Sequence, residues 1–476
     1  MIEKQAPRSL KWLIQHKNSK NYGKTLIDAI SRLEVYMSEY QEIFRNKTKK
    51  FFDKAEKYTQ GLFLAKRRNI EKICEKLGAV DYYQMQHFIT EAKWDERAVI
   101  DKVAQNTSGI LPKRKLTGLI IDESGIPKKG DKSVGVAWQY CGNLGKLANC
   151  QVGVLACLSN GDFASIVDAR LFLTEEWCNS SERCDEAGVP KDKREFKTKI
   201  ELAYDIIMHQ IELGTNFDFI GADGFYGNDP EFASKTEDLG YLYMLDIHKD
   251  QKIFLERPEF IVPERKGTKG KFPTIARPDK KSFRVDEYYK GLQHGDWETI
   301  SVRNTTKGYL KASYHFAQVF IMNETRGTIE RRLLVICRTK TKKGFEIKYS
   351  FTNANLAQYT TKGIAYLQAQ RFFIEHCIKE SKQVLGMGQF QTRKWQAWQH
   401  QVALNIMTAG FILEEKLYCF EDLPLLSAWD IQEWICFCLS KSQTEEDIID
   451  LIFSRHFKRQ TDINLSYSKQ CRNVSK

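Results

Sequence analysis

From the N-terminus to about Gly109, apolar residues recur at three- and four-residue spacing, the period of helices that bury one face. Basic clusters at Lys47, Lys49 and Lys50 and at Lys66, Arg67 and Arg68 punctuate this pattern. Within it, AKRRNIEKICEKLGAVDYYQMQHFITEAKWDERAVID reads as helix, a turn at Gly78, helix, turn, helix. That outline suits a small DNA-docking module and equally a plain helical bundle. NTSGILPKRK, Asn106 to Lys115, reads as a linker.

Beyond the linker the period shortens. TGLIID (Thr117–Asp122), CQVGVLACLS (Cys150–Ser159) and FASIVDARLFL (Phe163–Leu173) read as strands, the last two joined at Asn160-Gly161, a hairpin signal. A helix over Arg194–Leu213 follows, then the buried strand FDFIGAD (Phe217–Asp223), a helical stretch from Asp229 to Leu239 and the strand YLYMLDIH (Tyr241–His248). A meander followed by alternating helix and strand predicts an α/β fold, a mixed sheet with flanking helices. Between about Lys249 and Asn353 runs such as WETISVRN, YHFAQVFIM and RRLLVICRT predict a β-rich insertion, preceded by the basic loop ERKGTKGKFPTIARPDKKSFR. A long helix over Gly363–Leu385 and further helices with a basic end, KRQTDINLSYSKQCRNVSK, complete the pattern.

Length adds that 476 residues call for several domains. With 42% hydrophobic and 28% charged residues, and no apolar run near the ~18 residues of a membrane span, no membrane partner is expected. MIEKQAPRSLKW lacks the apolar core of a secretory signal, so the cytoplasm is the expected compartment. The 12 cysteines form no CxxC pair and read as reduced thiols. A net charge of +12 points to a polyanionic partner, nucleic acid first, because Lys and Arg displace counterions from phosphates.

The stretch LIIDESGIPKKGDKS, Leu119 to Ser133, carries the first candidate chemistry. Gly125 and Gly130 have the separation of a nucleotide-binding phosphate loop, but Asp131 precedes Lys132 and Ser133 where the lysine should stand, and Pro127 removes a backbone donor. No nucleotide cofactor is expected. Asp122, by contrast, stands at the end of a buried apolar run, and Asp223 ends FDFIGAD in the same way. Two such acids on neighbouring strands can bridge divalent cations, although each alone is also an ordinary turn-starting aspartate. In AYLQAQRFFIEHCIKESKQVL, Arg371, Glu375 and Lys382 share one helix face at about 100° per residue. Helix geometry by itself is satisfied by a solvated face with i,i+4 ion pairs.

Taken together, DESGIPKKG with KSVGVAWQYCGNLGKLANCQVGV, then GADGFYGN, then RFFIEHCIKESKQVLGMGQFQTRKWQAWQHQVAL resemble, in order, the first-aspartate, second-aspartate and glutamate regions of DDE transposases from bacterial insertion sequences. The glutamate region resembles the branch with a Tyr-Arg-Glu-Lys signature, and Arg371, Glu375 and Lys382 have its spacing. The resemblance runs from about Leu111 to Leu404. It implies an RNase H-like mixed sheet interrupted by a β-rich insertion. The divisions would be a helical DNA-binding domain over 1–110, the catalytic domain in two parts over 111–249 and 354–404, the insertion over 250–353, and a C-terminal helical region over 405–476.

It further implies that Asp122, Asp223 and Glu375 hold two Mg²⁺ ions, with Mn²⁺ as a substitute, and that Arg371 and Lys382 contact DNA phosphates. Lys128, Lys129 and Lys132 are further candidate DNA contacts. The partners implied are double-stranded DNA, as element ends and target, and a second copy of the chain in a dimer or higher assembly on bacterial, nucleoid-associated DNA. Gln368 stands where the signature has tyrosine, with Tyr366 two positions away, and Trp138 stands where the family often has arginine. Those departures keep open a decayed or repurposed DNA-binding protein; a general RNase H-like nuclease is the other alternative.

Overall fold

The computed structural model describes residues 26, 28–78, 80–113, 115–263, 274–305, 308–341, 344–440 and parts of 449–467. The first ten residues of the basic loop and the last nine of the basic end lie outside the described residues. Near the N-terminus, five helices, α1 (Ala29–Ser38), α2 (Phe52–Leu64), α3 (Ile70–Leu77), α4 (Tyr82–Thr90) and α5 (Glu96–Ile110), pack together. Side-chain caps start three of them, with Asn69, Asp81 and Asp95 accepting from the backbone N–H three residues on. Gly78, at φ +71°, stops α3. α5 runs to Ile110, so half of the expected linker is helical, because Val103, Ala104 and Thr107 continue its buried face. A short hairpin pairs Arg45–Asn46 with Lys49–Lys50 ahead of α2.

The sheet begins with β1 (Gly118–Pro127), β2 (Ala137–Cys141), β3 (Lys146–Ser159) and β4 (Ala164–Phe172). After α6 (Lys199–Glu212) come β5 (Phe219–Ala222), the short helix α7 (Gly224–Gly227), α8 (Pro230–Asp238) and β6 (Leu242–Ile247). β3 pairs antiparallel with β1 and β4, whereas β5 runs parallel to β1, and β6 parallel to β5. The order β4-β3-β1-β5-β6, three antiparallel strands then two parallel ones, is the RNase H-like arrangement anticipated from the sequence. The predicted hairpin at Gly161 is present, with that residue at φ +85°.

The β-rich insertion contributes β7 (Glu298–Thr305), β8 (Gly308–Asn323), β9 (Thr328–Thr341) and β10 (Gly344–Thr352). It does not form a separate layer: β10 pairs antiparallel with β6, β9 with β10 and β8 with β9, and with the short strands Lys252–Phe254 and Ser282–Arg284 beyond β8 one sheet reaches twelve strands among the described residues. The long helix expected over Gly363–Leu385 is two helices, α9 (Thr361–Ala369) and α10 (Arg371–Val384), divided at Gln370. Gln370 is buried and its amide is engaged by Ser159 Oγ at 3.1 Å and by the Tyr366 carbonyl oxygen at 3.1 Å. α11 (Trp395–Tyr418) and α12 (Ala428–Ser440) follow.

Strand alternation decides which helices each side chain meets. Leu119 and Ile121 of β1 pack with Ile206 and Ile207 of α6, on one face of the sheet. Ile120 joins the core formed with Ile374 of α10 and Leu404 of α11 on the other. Asp122, an even-numbered position, therefore projects toward α10. No helix among the described residues is long and apolar enough to cross a membrane.

Candidate active site

The parallel register sets Ile121 beside Ala222, and Ala222 beside Leu245. Continued by one residue, it brings Asp122, Asp223 and Asp246 into a single row, one acid per strand at a strand spacing of about 4.8 Å. Ser350 of β10 pairs with Asp246 and extends the row. Asp122 is not at the end of its own strand, since β1 continues to Pro127; it is the first residue beyond the parallel pairing with β5. Its backbone is free of β5 but still held by pairing with Leu155 of β3. Asp223 follows the last residue of β5 and caps α7, accepting from the Phe225 N–H at 3.0 Å.

α10 crosses this row on the Ile120 face and supplies the remaining groups. The Arg371 guanidinium reaches all the acids: Nε lies 2.8 Å from Asp246 Oδ2, Nη2 2.8 Å from Glu375 Oε1, and Nη1 3.8 Å from Asp122 Oδ2 and 4.0 Å from Asp223 Oδ2. The approach to Asp246 is ionic, because the buried Nε has no aligned hydrogen bond. The sequence-predicted trio Asp122, Asp223 and Glu375 is thus brought together around one cation.

Burial, and then the Asp223 charge, push the Asp122 carboxyl up to about 7, with Arg371 working against them. Burial also raises Asp246, offset in part by Arg371 and by the Ser350 hydroxyl. For Arg371 burial opposes the charge, and Asp246, Asp122, Glu375 and Asp223 together outweigh it, raising its pKa. The guanidinium stays charged.

Four carboxylates facing one guanidinium leave an excess of negative charge. Hard oxygen donors from a strand, a helix cap and a second helix, with that excess charge, fit a divalent cation in donor chemistry. Among the described residues no three His, Cys, Asp or Glu side chains close on a common point as an ion cage, and here the centre is held by Arg371.

The basic candidates are distributed differently. Lys382 Nζ donates to the Gly125 carbonyl oxygen at 3.1 Å, and burial lowers its pKa. Lys128 Nζ donates to the Phe390 carbonyl oxygen at 2.7 Å and lies over the Phe390 ring; burial brings its pKa down to about 8. Lys129 is exposed, and Lys132 is exposed with a 3.1 Å ion pair to Glu186. Trp138 is exposed on β2, while Tyr366 is turned inward and donates to the Leu116 carbonyl oxygen at 2.7 Å.

Sequence reasoning passed over Asp246 and Ser350. The signal was present: LIID, FIGAD and YMLD each end an apolar run in an acid, and the third sits on the next strand of the parallel set. Asp246 accepts from Ser350 Oγ at 2.6 Å, which in turn accepts from Gln368 Nε2 at 2.8 Å. Gln368, the residue in place of the signature tyrosine, is thereby linked through Ser350 and Asp246 to Arg371.

Comparison with known proteins adds three findings. The profile of a family described as DDE superfamily endonuclease matches residues 39–309, more than half of the chain. A probable transposase for insertion sequence element IS701 from Microchaete diplosiphon is 31% identical over 189 residues, 40% of this chain. The match spans under half of that relative's length, 46%. Among solved structures, a piggyBac transposase synaptic complex with hairpin DNA aligns over 88% of this chain and 80% of its own, at a TM-score of 0.37 and 9% identity.

Proposed function

The chain belongs to the DDE superfamily endonucleases, and from that membership we propose that it is an insertion-sequence transposase, binding the terminal inverted repeats of its element, pairing them, and cutting and joining DNA. The observation that most supports this reading is that Asp122, Asp223 and Glu375, from three separate elements, all face the Arg371 guanidinium. Asp122, Asp223 and Glu375 would hold a pair of Mg²⁺ ions, or Mn²⁺ in their place, which when bound supply Lewis acidity to the attacking and leaving oxygens. A phosphorus–oxygen bond forms to water in hydrolysis, or to a DNA 3′-hydroxyl in strand transfer, as the bond to the leaving 3′-oxygen breaks.

The protein's own part is positioning. The strand register fixes two acids side by side, and α10 brings the third across the sheet face. Arg371 offers a planar donor fork suited to a phosphate once its acids are otherwise neutralised. Lys382 stands along the same helix with its amine on the Gly125 carbonyl oxygen, and the exposed Lys129 and Lys132 offer phosphate contacts beside β1. In the N-terminal helical region, Lys47, Lys49 and Lys50 are exposed on the hairpin and suit a duplex backbone. A dimer or larger assembly on paired ends completes the reading.

Purified protein with Mg²⁺ and a labelled element end should nick or excise it, and Asp122→Ala, Asp223→Ala and Glu375→Ala should bind the end without cutting. Cleavage by all three variants at the wild-type rate would exclude the assignment. A non-catalytic DNA-binding protein draws support from the guanidinium at the centre of the acids; binding with no metal-dependent cutting by the wild type would establish it. A nuclease without strand transfer would yield cut but never joined products.

A further inference from the structure

Three features of the acid row are unexplained by a role in holding metal. Asp246 stands in the same register as Asp122 and Asp223, yet its nearest charged partner is the Nε edge of Arg371 at 2.8 Å. Its other oxygen is occupied by the Ser350 hydroxyl, which is itself held by Gln368 from α9. Arg371 turns its Nη1 and Nη2 edge to Glu375, Asp122 and Asp223, the side chains on which the proposed function depends.

A guanidinium has two usable edges, and here they are divided between Asp246, held by Ser350, and the acid trio. Contacts of 3.8 and 4.0 Å to Asp122 and Asp223 are charge attraction without close hydrogen bonding, the kind another cation can replace, and Glu375, 2.8 Å from Nη2, is half-exposed on α10, whereas Asp246 is mostly covered.

We propose that Asp246, supported by Ser350 and Gln368, is a positioning residue that tethers Arg371 by its Nε edge, so that the opposite edge serves the acid trio as a displaceable counter-cation in competition with divalent ions. This rests on the reading of Asp122, Asp223 and Glu375 as the metal-holding acids. In the DNA-free protein the arginine limits the charge repulsion among the acids. When divalent ions replace it there, the Nη edge is released within the site while Asp246 keeps the side chain from swinging away. That edge is then placed to take a phosphate.

The competition gives an unusual sign. Mn²⁺ binding to the DNA-free full chain, followed by electron paramagnetic resonance of the free ion, is the readout. Arg371→Gln should bind Mn²⁺ about tenfold more tightly than the wild type, the equivalent of about 1.4 kcal/mol. Asp246→Asn, which leaves the arginine to the trio alone, should bind more weakly. The same Asp246→Asn change made in Arg371→Gln should cost several-fold less, since its effect runs through the arginine.

An equal or greater loss from Asp246→Asn in the Arg371→Gln background would make Asp246 a metal ligand and overturn the proposal. So would identical affinities in all four proteins. If none of them binds Mn²⁺, the metal reading beneath the proposal fails instead. Should Arg371→Gln not fold, Arg371→Lys keeps the buried charge but cannot span Asp246 and Glu375 together; it should bind Mn²⁺ about threefold more tightly, and unchanged or weaker binding would refute the tether.

Discussion

A β-carbon added to Gly227 would lie 1.9 Å from the Asp246 carbonyl oxygen, so GFYG can turn beneath β6 only with glycine at its end. Gly227→Ala should cost about 1–3 kcal/mol, read as a lowered urea midpoint, and should reduce DNA cleavage by shifting Asp223 against Asp246. At this scale the sequence was informative where an acid ended an apolar run, as at Asp122 and Asp223. It was uninformative for lysines, because an amine on a loop and an amine folded back onto a carbonyl have the same local pattern. Lys128, tied to the Phe390 carbonyl oxygen, illustrates the second case, and Lys129 the first. Lys129→Ala should therefore reduce the salt slope of DNA binding by about one, whereas Lys128→Met should leave it unchanged, as measured by fluorescence anisotropy from low to high salt.

At the level of elements, the period of apolar residues located nearly every strand and helix around the site but not their partners. The insertion strands were legible as strands; that β10 would add to β6, delivering Ser350 to Asp246, depends on pairing over a hundred residues of separation. The division between α9 and α10 was invisible because Gln370 keeps a helical backbone while buried hydrogen bonds interrupt the helix.

α11 carries a further consequence. Its His400 is buried, stacked on Trp94 with ring centroids 3.8 Å apart, with Nδ1 3.0 Å from the Ile89 carbonyl oxygen and Nε2 3.7 Å from Glu96. Burial brings its pKa down to about 4, below the value of about 6.5 in an unfolded chain. As pH falls the unfolded chain takes the proton first, so His400 withdraws stability progressively from about pH 6.5 to about 4, by up to roughly 3 kcal/mol. Urea midpoints of the wild type should fall faster across that window than those of His400→Gln; parallel curves would show that the buried ring does not set the acid sensitivity.

Across the whole molecule, one sheet runs from the RNase H-like strands into the insertion, so the acid row stands well inside its edges. The net charge of +12 is an average, and its useful part is spatial. Lys47, Lys49 and Lys50 lie exposed on a hairpin in the N-terminal helical region, remote in sequence from the acids. Replacing all three with serine should weaken binding to element ends and lower the salt slope by up to about three, while Mn²⁺ binding stays at the wild-type level. The sequence pointed toward a polyanionic partner and singled out the acids, but not that the acids' inner counter-charge would be Arg371 rather than a surface lysine.

The most direct measurement is affinity cleavage with Fe²⁺ in place of Mg²⁺, using ascorbate and peroxide to generate radicals at the bound ion and mapping where the polypeptide is cut. Scission beside Asp122, Asp223 and Glu375 together is expected, suppressed by excess Mg²⁺ and lost in Asp122→Ala. Cutting at none of these positions, or at one without the others, would contradict it.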